Sequence, residues 1–136
     1  MQHAINWFEI PVADLSRATA FYAEVLRIEL RPERFQETPM AVFPYGPPEQ
    51  AVGGALILDA RKRPSAAGVV VYLSAGTDIR GAVSRVVKAG GRVMMPVTDI
   101  GDPGFIALIQ DTEGNVVGLH EARLPQTAAT PAPAAT

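Results

Sequence analysis

Glu9 and His120 are the two ionisable side chains whose positions in the sequence could support chemistry inside the protein. Each stands in a short apolar run of the kind that forms a β-strand. Because alternate residues of a strand point to the same face, both side chains are predicted to point inward. A facing carboxylate and imidazole can relay a proton or fix a polar group of a ligand. The same pair can also be purely structural, a polar contact that satisfies itself.

Other residue types that commonly take part in catalysis form no recognisable motif in this sequence. The sequence has no cysteine, which excludes disulfides, thiol nucleophiles and cysteine-ligated zinc. It has no G-x-S-x-G elbow and no phosphate-binding glycine loop. His3 has the same strand parity as Glu9, so His3, Glu9 and His120 could form an improvised two-histidine, one-carboxylate metal site. We expect no metal there, because His3 lies near a chain end.

Strand periodicity assigns the first strand two different faces. Phe8, Ile10 and Val12 share one apolar face, which is predicted to pack under helices. Ile5, Trp7 and Glu9 share the other face, which is predicted to line a cavity. The indole of Trp7 could stack on a planar ligand or could simply fill space.

The last strand is interpreted in the same way. Val117 and Leu119 are predicted to face the helices, while Val116, Gly118 and His120 face inward. An internal repeat adds further residues to the predicted lining: Val52, Gly54, Leu56 and Val71.

That repeat is an order of elements, strand, helix and three strands, found twice at an offset of 64 residues. Asp14 precedes a run with helical apolar spacing and is a candidate N-cap, and Thr77 or Asp78 is the candidate N-cap of a second such run. Gly90 and Gly91 are a helix stop signal after the second run. Strands are predicted at 5–12, near Glu29, at 40–45 and 52–58, and again at 69–74, 92–95, 105–110 and 115–122.

Composition favours one domain with a real core. The chain has 136 residues, 48% of them hydrophobic, and 12 basic against 14 acidic residues give a net charge of −2. This weak acidity argues against nucleic-acid binding, since no surplus of positive charge exists to neutralise phosphates. We expect a single domain over 1–124, with module one at about 4–60, a linker at 61–68 and module two at 69–124. The proline- and alanine-rich residues 125–136 are predicted to be a disordered tail.

Two further features concern location and the linker. No basic and apolar leader pattern and no apolar run long enough for a membrane helix occurs, so a cytoplasmic protein without membrane contact is expected. Arg61, Lys62 and Arg63 form a basic cluster in the linker. A solvated linker is the favoured interpretation of this cluster, and an anion site is the alternative.

This order of elements, with the segments NWFEIPVADLSRATAFYAEVL and GLHEA, resembles the vicinal oxygen chelate superfamily. That group includes glyoxalase I, bleomycin-resistance proteins and extradiol dioxygenases. The resemblance covers about Ile5 to Ala122. It implies an α+β fold of two βαβββ modules, whose sheets curl around a central cavity with the helices on the convex side. It also implies a homodimer.

The resemblance further implies where a metal would be held. Metal-dependent members place His, Gln or Glu on the first and last strands of each module, at positions that align here with Trp7, Gly54, Val71 and Gly118. Indole, hydrogen and isopropyl groups cannot ligate a divalent ion. We therefore expect neither a metal nor another cofactor.

Three functions remain open. The leading one is a glyoxalase- and bleomycin-resistance-like protein that binds a small organic molecule in an apolar cavity without a metal. If it is an enzyme, Glu9 and His120 are its predicted catalytic residues, and the predicted ligand-binding residues are Trp7, Gly54, Leu56, Val71 and Gly118. The alternatives are a metal-dependent glyoxalase-type lyase or isomerase, and a non-catalytic interaction module.

Overall fold

The structure, a computed structural model, describes residues 3–47 and 52–124 and shows two βαβββ modules. The first consists of β1 (Trp7–Pro11), α1 (Leu15–Leu26), β2 (Arg31–Phe35), β3 (Thr38–Val42) and β4 (Gly53–Ile57). The second consists of β5 (Tyr72–Ser74), α2 (Ile79–Ser84), β6 (Arg92–Asp99), β7 (Phe105–Gln110) and β8 (Val116–Glu121). The tail predicted at 125–136 lies outside the described residues.

Each module contributes one four-stranded mixed sheet, and the two sheets remain separate. Their strand orders are β1-β4-β3-β2 and β5-β8-β7-β6. In each sheet the first strand runs parallel to the last one, while the other pairs are antiparallel. The predicted α+β architecture of two modules is therefore confirmed. Because the sheets do not join, β1 and β5 each keep one edge without a strand partner.

Both helices begin where the sequence predicts. The Asp14 side chain accepts a hydrogen bond from the backbone N–H of Arg17 at 3.0 Å, and Asp78 accepts one from Gly81 at 3.0 Å. These bonds satisfy amide groups that have no partner within the helix. The second helix is shorter than its apolar spacing suggests, and the chain continues in turns to Gly90, which has a φ of 107°.

The larger of two hydrophobic clusters lies between the sheets and the helices. Ile10 of β1 and the following Val12 pack in it with Phe21 and Val25 of α1, and Leu119 contributes from β8. Burial of these side chains supplies the main driving force for folding. The prediction that the Ile10 face and the Leu119 face pack under the helices is confirmed.

The strands repeat at a different offset from the helices. Ile10 corresponds to Leu73 and Leu56 to Leu119, because each pair occupies the same register position in the β1–β4 or β5–β8 ladder. These residues are 63 positions apart, whereas the helix caps Asp14 and Asp78 are 64 apart. The second module has one additional residue in the turn between its first strand and its helix. Face assignments transferred between modules at an offset of 64 are therefore wrong.

A polar cluster fastens the modules to each other. The Tyr22 hydroxyl donates to the Asp111 carboxylate at 2.6 Å, and Asn115 Nδ2 donates to the carbonyl of Pro11 at 2.8 Å. Asp111 and Asn115 are the buried polar residues of the described part of the chain, and each has partners. Burial, followed by the charge of Asp111 and its hydrogen bond, raises the pKa of Tyr22 well above its usual value. Paired in this way, these polar groups fix how the modules pack.

Several strand boundaries differ from the sequence-based prediction. The strand predicted near Glu29 begins at Arg31, and the one predicted at 69–74 is regular only over Tyr72–Ser74. In the described part of the chain, no helix has the length and apolar character needed to cross a bilayer.

Candidate functional site

A cleft of about 470 Å³ lies between the two modules. The first module contributes the side chains of Ile5, Phe8 and Phe43, together with Leu26 and Ile28 at the end of α1. The second module contributes the continuous segment 69–74, which contains β5. The cleft thus lies beside the free edge of β5 and on the helix side of β1, the side to which Phe8 points.

The lining of this intermodular cleft is apolar and carries no ionisable carboxylate or amine. Its polar side-chain groups are the hydroxyls of Tyr72 and Ser74. Phe8 and Phe43 are in contact, with ring centroids 5.4 Å apart and ring planes inclined by 50°. Tyr72 and Val70 are 47% and 42% exposed, so the cleft opens to solvent along this rim. Such a lining favours an apolar ligand over an ion.

A smaller cleft of about 230 Å³ lies on the other side of the segment before β5. It is lined by Glu9, Arg63, Ser65 and Asn115, and it shares Val71 with the larger cleft. The Asn115 side-chain oxygen accepts from the backbone N–H of Ser65 at 2.9 Å, which holds the linker against the second module. Most of its other lining residues are apolar, but unlike the larger cleft it contains charged side chains.

Glu9 points away from the helices, as its strand parity predicts. Its carboxylate accepts from the indole N–H of Trp7 at 3.3 Å and pairs with Lys62 at 3.5 Å. The carboxylate is 37% exposed, so this ion pair contributes little to stability. Lys62 is one of the three basic linker residues, and its neighbour Arg61 pairs with Asp59 at 3.1 Å. The hydrogen bonds from Arg61 lower the pKa of Asp59.

His120 lies in the other sheet, and the structure does not bring it together with Glu9. Its Nε2 is 2.7 Å from the carbonyl oxygen of Pro103. A carbonyl oxygen can only accept, so Nε2 must carry the hydrogen, and proton exchange with a ligand would have to use Nδ1. The expectation that Glu9 and His120 form a hydrogen-bonded pair is therefore wrong, because Glu9 contacts Trp7 and Lys62 while His120 contacts Pro103. Their catalytic roles stay a prediction.

Two of the predicted ligand-binding residues lie on the helix side. Gly54 is opposite Phe8 in the β1–β4 ladder and Leu56 is opposite Ile10, so both share the core face. Leu56 is fully buried in that core. The prediction that Gly54 and Leu56 face inward with Glu9 is wrong, and the cause is the one-residue difference between the modules.

The remaining predicted binding residues have different positions. Val71 lines both clefts. Trp7 is 39% exposed on the Glu9 face, where its ring covers Gly53. Gly118 is buried beneath the ring of Tyr72. A ligand contact at Trp7 or Gly118 stays a prediction.

The strand residues do not fit a divalent metal. On the Glu9 face, β4 presents Gly53, Ala55 and Ile57, and on the His120 face β5 presents Tyr72 and Ser74. None of these five is a usual ligand for a catalytic metal. Over residues 3–47 and 52–124, no three His, Cys, Asp or Glu side chains are grouped to hold a metal. The improvised site of His3, Glu9 and His120 is therefore not formed.

Leu26, Ile28 and Phe43 are cleft residues that were not predicted as ligand contacts. The apolar spacing of α1 includes Leu26, but spacing alone cannot separate a residue that ends in a cleft from one in the core. The feature of the sequence that sets Leu26 and Ile28 apart is their position at the end of α1, where the first module meets the cleft.

Comparison with known proteins agrees with this architecture. The sequence model of the Glyoxalase/Bleomycin resistance protein/Dioxygenase superfamily matches residues 4–119. The chain belongs to this superfamily. Curated relatives include "Putative glyoxylase CFP32" of Mycobacterium tuberculosis and of Mycobacterium bovis, each 28% identical over 134 residues. That alignment covers 86% of this chain and 45% of the relative, so the chain spans about half the length of these curated superfamily members.

Solved superfamily structures have the same fold. A glyoxalase/bleomycin resistance protein from Albidiferax ferrireducens T118 aligns with a TM-score of 0.66 at 13% identity, over 89% of this chain and 100% of its own. A glyoxylase/bleomycin resistance protein/dioxygenase domain from Frankia sp. EAN1pec aligns with a TM-score of 0.66 at 17% identity, over 93% and 96%. Glyoxalase I from Zea mays aligns with a TM-score of 0.66 at 18% identity, over 89% of this chain and 46% of its own.

Proposed function

We propose that this superfamily member binds a small organic molecule in the intermodular cleft and that it does so without a metal. The observation that supports this most directly is the cleft itself. Its volume of about 470 Å³ falls within the range of pockets that enclose small ligands, and its walls are apolar with two hydroxyl groups at the rim. Because both modules contribute walls, their packing sets the shape of the site.

Metal independence is supported by the chemistry of the donor set. The strand faces that carry Glu9 and His120 present glycine, alanine, isoleucine, tyrosine and serine beside them. These residues cannot replace the histidine, glutamine and glutamate ligands of metal-dependent members. Binding in the cleft requires no ion, because apolar contact supplies the affinity.

The main alternative is a metal-dependent glyoxalase-type lyase or isomerase. The names of several relatives favour it, including that of the Zea mays glyoxalase I. This alternative requires His, Gln or Glu ligands on the first and last strands of each module, and other residue types occupy those positions. A non-catalytic interaction module is the other alternative, and it predicts that no small molecule competes for the cleft.

Three finer expectations accompany the proposal. Glu9 and His120 are retained as separate candidates for proton transfer, each available to a ligand that reaches its own sheet. A homodimer is supported by the resemblance and by the half-length match to longer relatives. A cytoplasmic location is supported by the absence of cysteine from the sequence.

A cleft-filling variant tests the proposal. A thermal-shift screen of small apolar and aromatic compounds in EDTA should identify compounds that raise the melting temperature of the wild type. Val70→Trp places an indole at the cleft rim and should abolish these shifts. Val87→Trp, at an exposed position outside the cleft, is the matched control and should retain them. Equal binding by both variants would exclude this cleft as the site, and a complete absence of shifts would favour the interaction module.

A further inference from the structure

We propose that the intermodular cleft selects an uncharged aromatic ligand whose carbonyl oxygen accepts a hydrogen bond from the backbone N–H of Ser74. This inference rests on the proposed function and specifies the ligand class of the same site. Three features of the cleft lead to it: the absence of charge from its walls, its aromatic rings and the free edge of β5.

The walls exclude an ionic ligand. Every side chain that lines the cleft is hydrocarbon, aromatic or hydroxyl-bearing. The charged side chains of Glu9 and Arg63 line the smaller, neighbouring cleft. An ion moved from water to the apolar walls would lose hydration without gaining a counter-charge. A neutral ligand avoids this penalty.

The rings favour an aromatic ligand. Phe8 and Phe43 lie along the walls, and their rings are inclined to each other at a centroid distance of 5.4 Å. Tilted and offset rings interact favourably through their quadrupoles, in addition to the apolar area that they bury. A planar ligand can extend this arrangement.

The edge of β5 supplies hydrogen-bonding groups. The carbonyl of Val71 accepts from the Gly118 N–H, and the Ala75 N–H donates to the carbonyl of His120. Backbone groups of alternate residues point to opposite edges of a strand, so the N–H and carbonyl groups of Tyr72 and Ser74 point away from β8. β5 is the edge strand of its sheet, and both residues line the cleft. The N–H of Ser74 is therefore a donor available to a ligand.

A charge series at constant ring size tests the ligand class. The probes are 2-naphthamide, 2-naphthoate and 2-naphthamidine, titrated calorimetrically at pH 7 in EDTA. The neutral amide should bind at least about tenfold more tightly than either ion, and about tenfold more tightly than unsubstituted naphthalene, which has no carbonyl. Tighter binding of the anion or the cation would overturn the inference, and so would equal binding of naphthalene.

A backbone substitution tests the donor. Ser74→Pro removes the N–H at a free edge, where proline is tolerated, and Ser74→Ala retains the N–H while removing the hydroxyl. The amide should lose about tenfold in affinity for Ser74→Pro and less than about threefold for Ser74→Ala. Equal losses would overturn the assignment of the donor. If Ser74→Pro does not fold, the comparison of amide with naphthalene in the wild type decides the question.

The two proposals fail in different ways. No binding of any probe to the wild type, with no hits in the wider screen, would overturn the proposed function together with this inference. Binding that Val70→Trp abolishes, but that is strongest for an ion, would leave the proposed function intact and overturn only the ligand class.

Discussion

Glu113 shows how single residues connect the modules. It lies in the turn between β7 and β8, yet its carboxylate accepts from the backbone N–H groups of Ala13 and Asp14 at 2.8 and 2.9 Å. It also pairs with Arg17 at 2.7 Å, and its side chain is fully buried. Burial opposes ionisation, but the hydrogen bonds from Arg17, Thr112 and the two backbone groups outweigh it and lower the pKa of Glu113 to about 2.

Glu113→Gln should destabilise the protein and flatten its stability profile in acid. A carboxyl group whose pKa is lowered on folding contributes stability above its unfolded value of 4.5, and this contribution is lost as the pH falls toward about 2. Urea unfolding at pH 7 should show a loss of about 2–3 kcal/mol for the variant. Between pH 5 and 2, the wild type should lose more stability than the variant.

The exposed Glu33, which pairs with Arg31 on the surface at 2.6 Å, provides the control. Glu33→Gln should change the free energy of unfolding by less than about 1 kcal/mol. If the two variants had equal effects, the hydrogen bonds of Glu113 would not fasten the modules as described.

The metal content of the purified protein tests whether its strand residues can hold a divalent ion. The purified protein should contain no stoichiometric Zn²⁺, Ni²⁺, Fe²⁺ or Mn²⁺ by elemental analysis. EDTA should leave its melting temperature unchanged, because a bound metal contributes folding free energy directly. One ion per chain, with lower stability in the chelator, would contradict the interpretation of the strand faces.

The sequence predicts which way Glu9 and His120 point but not what they contact. Parity within a strand is a local property, so the direction of Glu9, away from the helices, follows from its neighbours in β1. Contact between Glu9 and His120 depends on how two separate sheets are placed, which no local pattern records. The same limit explains why Lys62 was not predicted as the partner of Glu9.

At the scale of elements, each module pairs an aromatic residue with a glycine across its parallel strands. Phe8 lies opposite Gly54, and Tyr72 lies opposite Gly118. A Cβ atom added to either glycine would collide with the facing ring. The glycines therefore leave the space that the rings occupy, and in the first module the Phe8 ring packed on Gly54 forms a wall of the cleft.

Gly54→Ala should cost about 1–3 kcal/mol in the free energy of unfolding, because the added methyl group must displace the Phe8 ring. Phe8→Leu should reduce this cost in a double-mutant cycle, since a smaller side chain leaves room for the methyl group. Gly46→Ala is the control, as an added Cβ atom there meets nothing within 4 Å. A Gly54→Ala protein as stable as wild type would show that the ring is not seated on Gly54.

The sequence predicts the elements themselves well and their alignment between modules less well. Helix caps and apolar spacing locate α1, and the strands predicted at 105–110 and 115–122 agree with β7 and β8. The additional residue before α2 escapes detection because Asp14 and Asp78 align at 64 while the strands align at 63. One residue reverses every face of a strand, and this explains the wrong placement of Gly54 and Leu56.

At the scale of the whole molecule, the unjoined sheets account for the cleft. The Asp111 and Asn115 contacts hold the modules together, while the free edge of β5 borders the cleft. Relatives of about twice the length have room for a second unit of this size in one chain. Sedimentation equilibrium should therefore give a homodimer, with twice the chain mass of 14.5 kDa. A monomer at micromolar concentration would contradict the prediction of a homodimer.

The position of a bound ligand shows directly whether the intermodular cleft is the binding site. A crystal structure of the protein soaked with 2-naphthamide in EDTA should show the ligand between the modules, against Phe8, Phe43 and Tyr72, with its carbonyl oxygen near the N–H of Ser74. No metal should accompany it. Ligand density on the opposite face of β1, beside Trp7 and Glu9 or coordinated to a metal ion, would contradict the account.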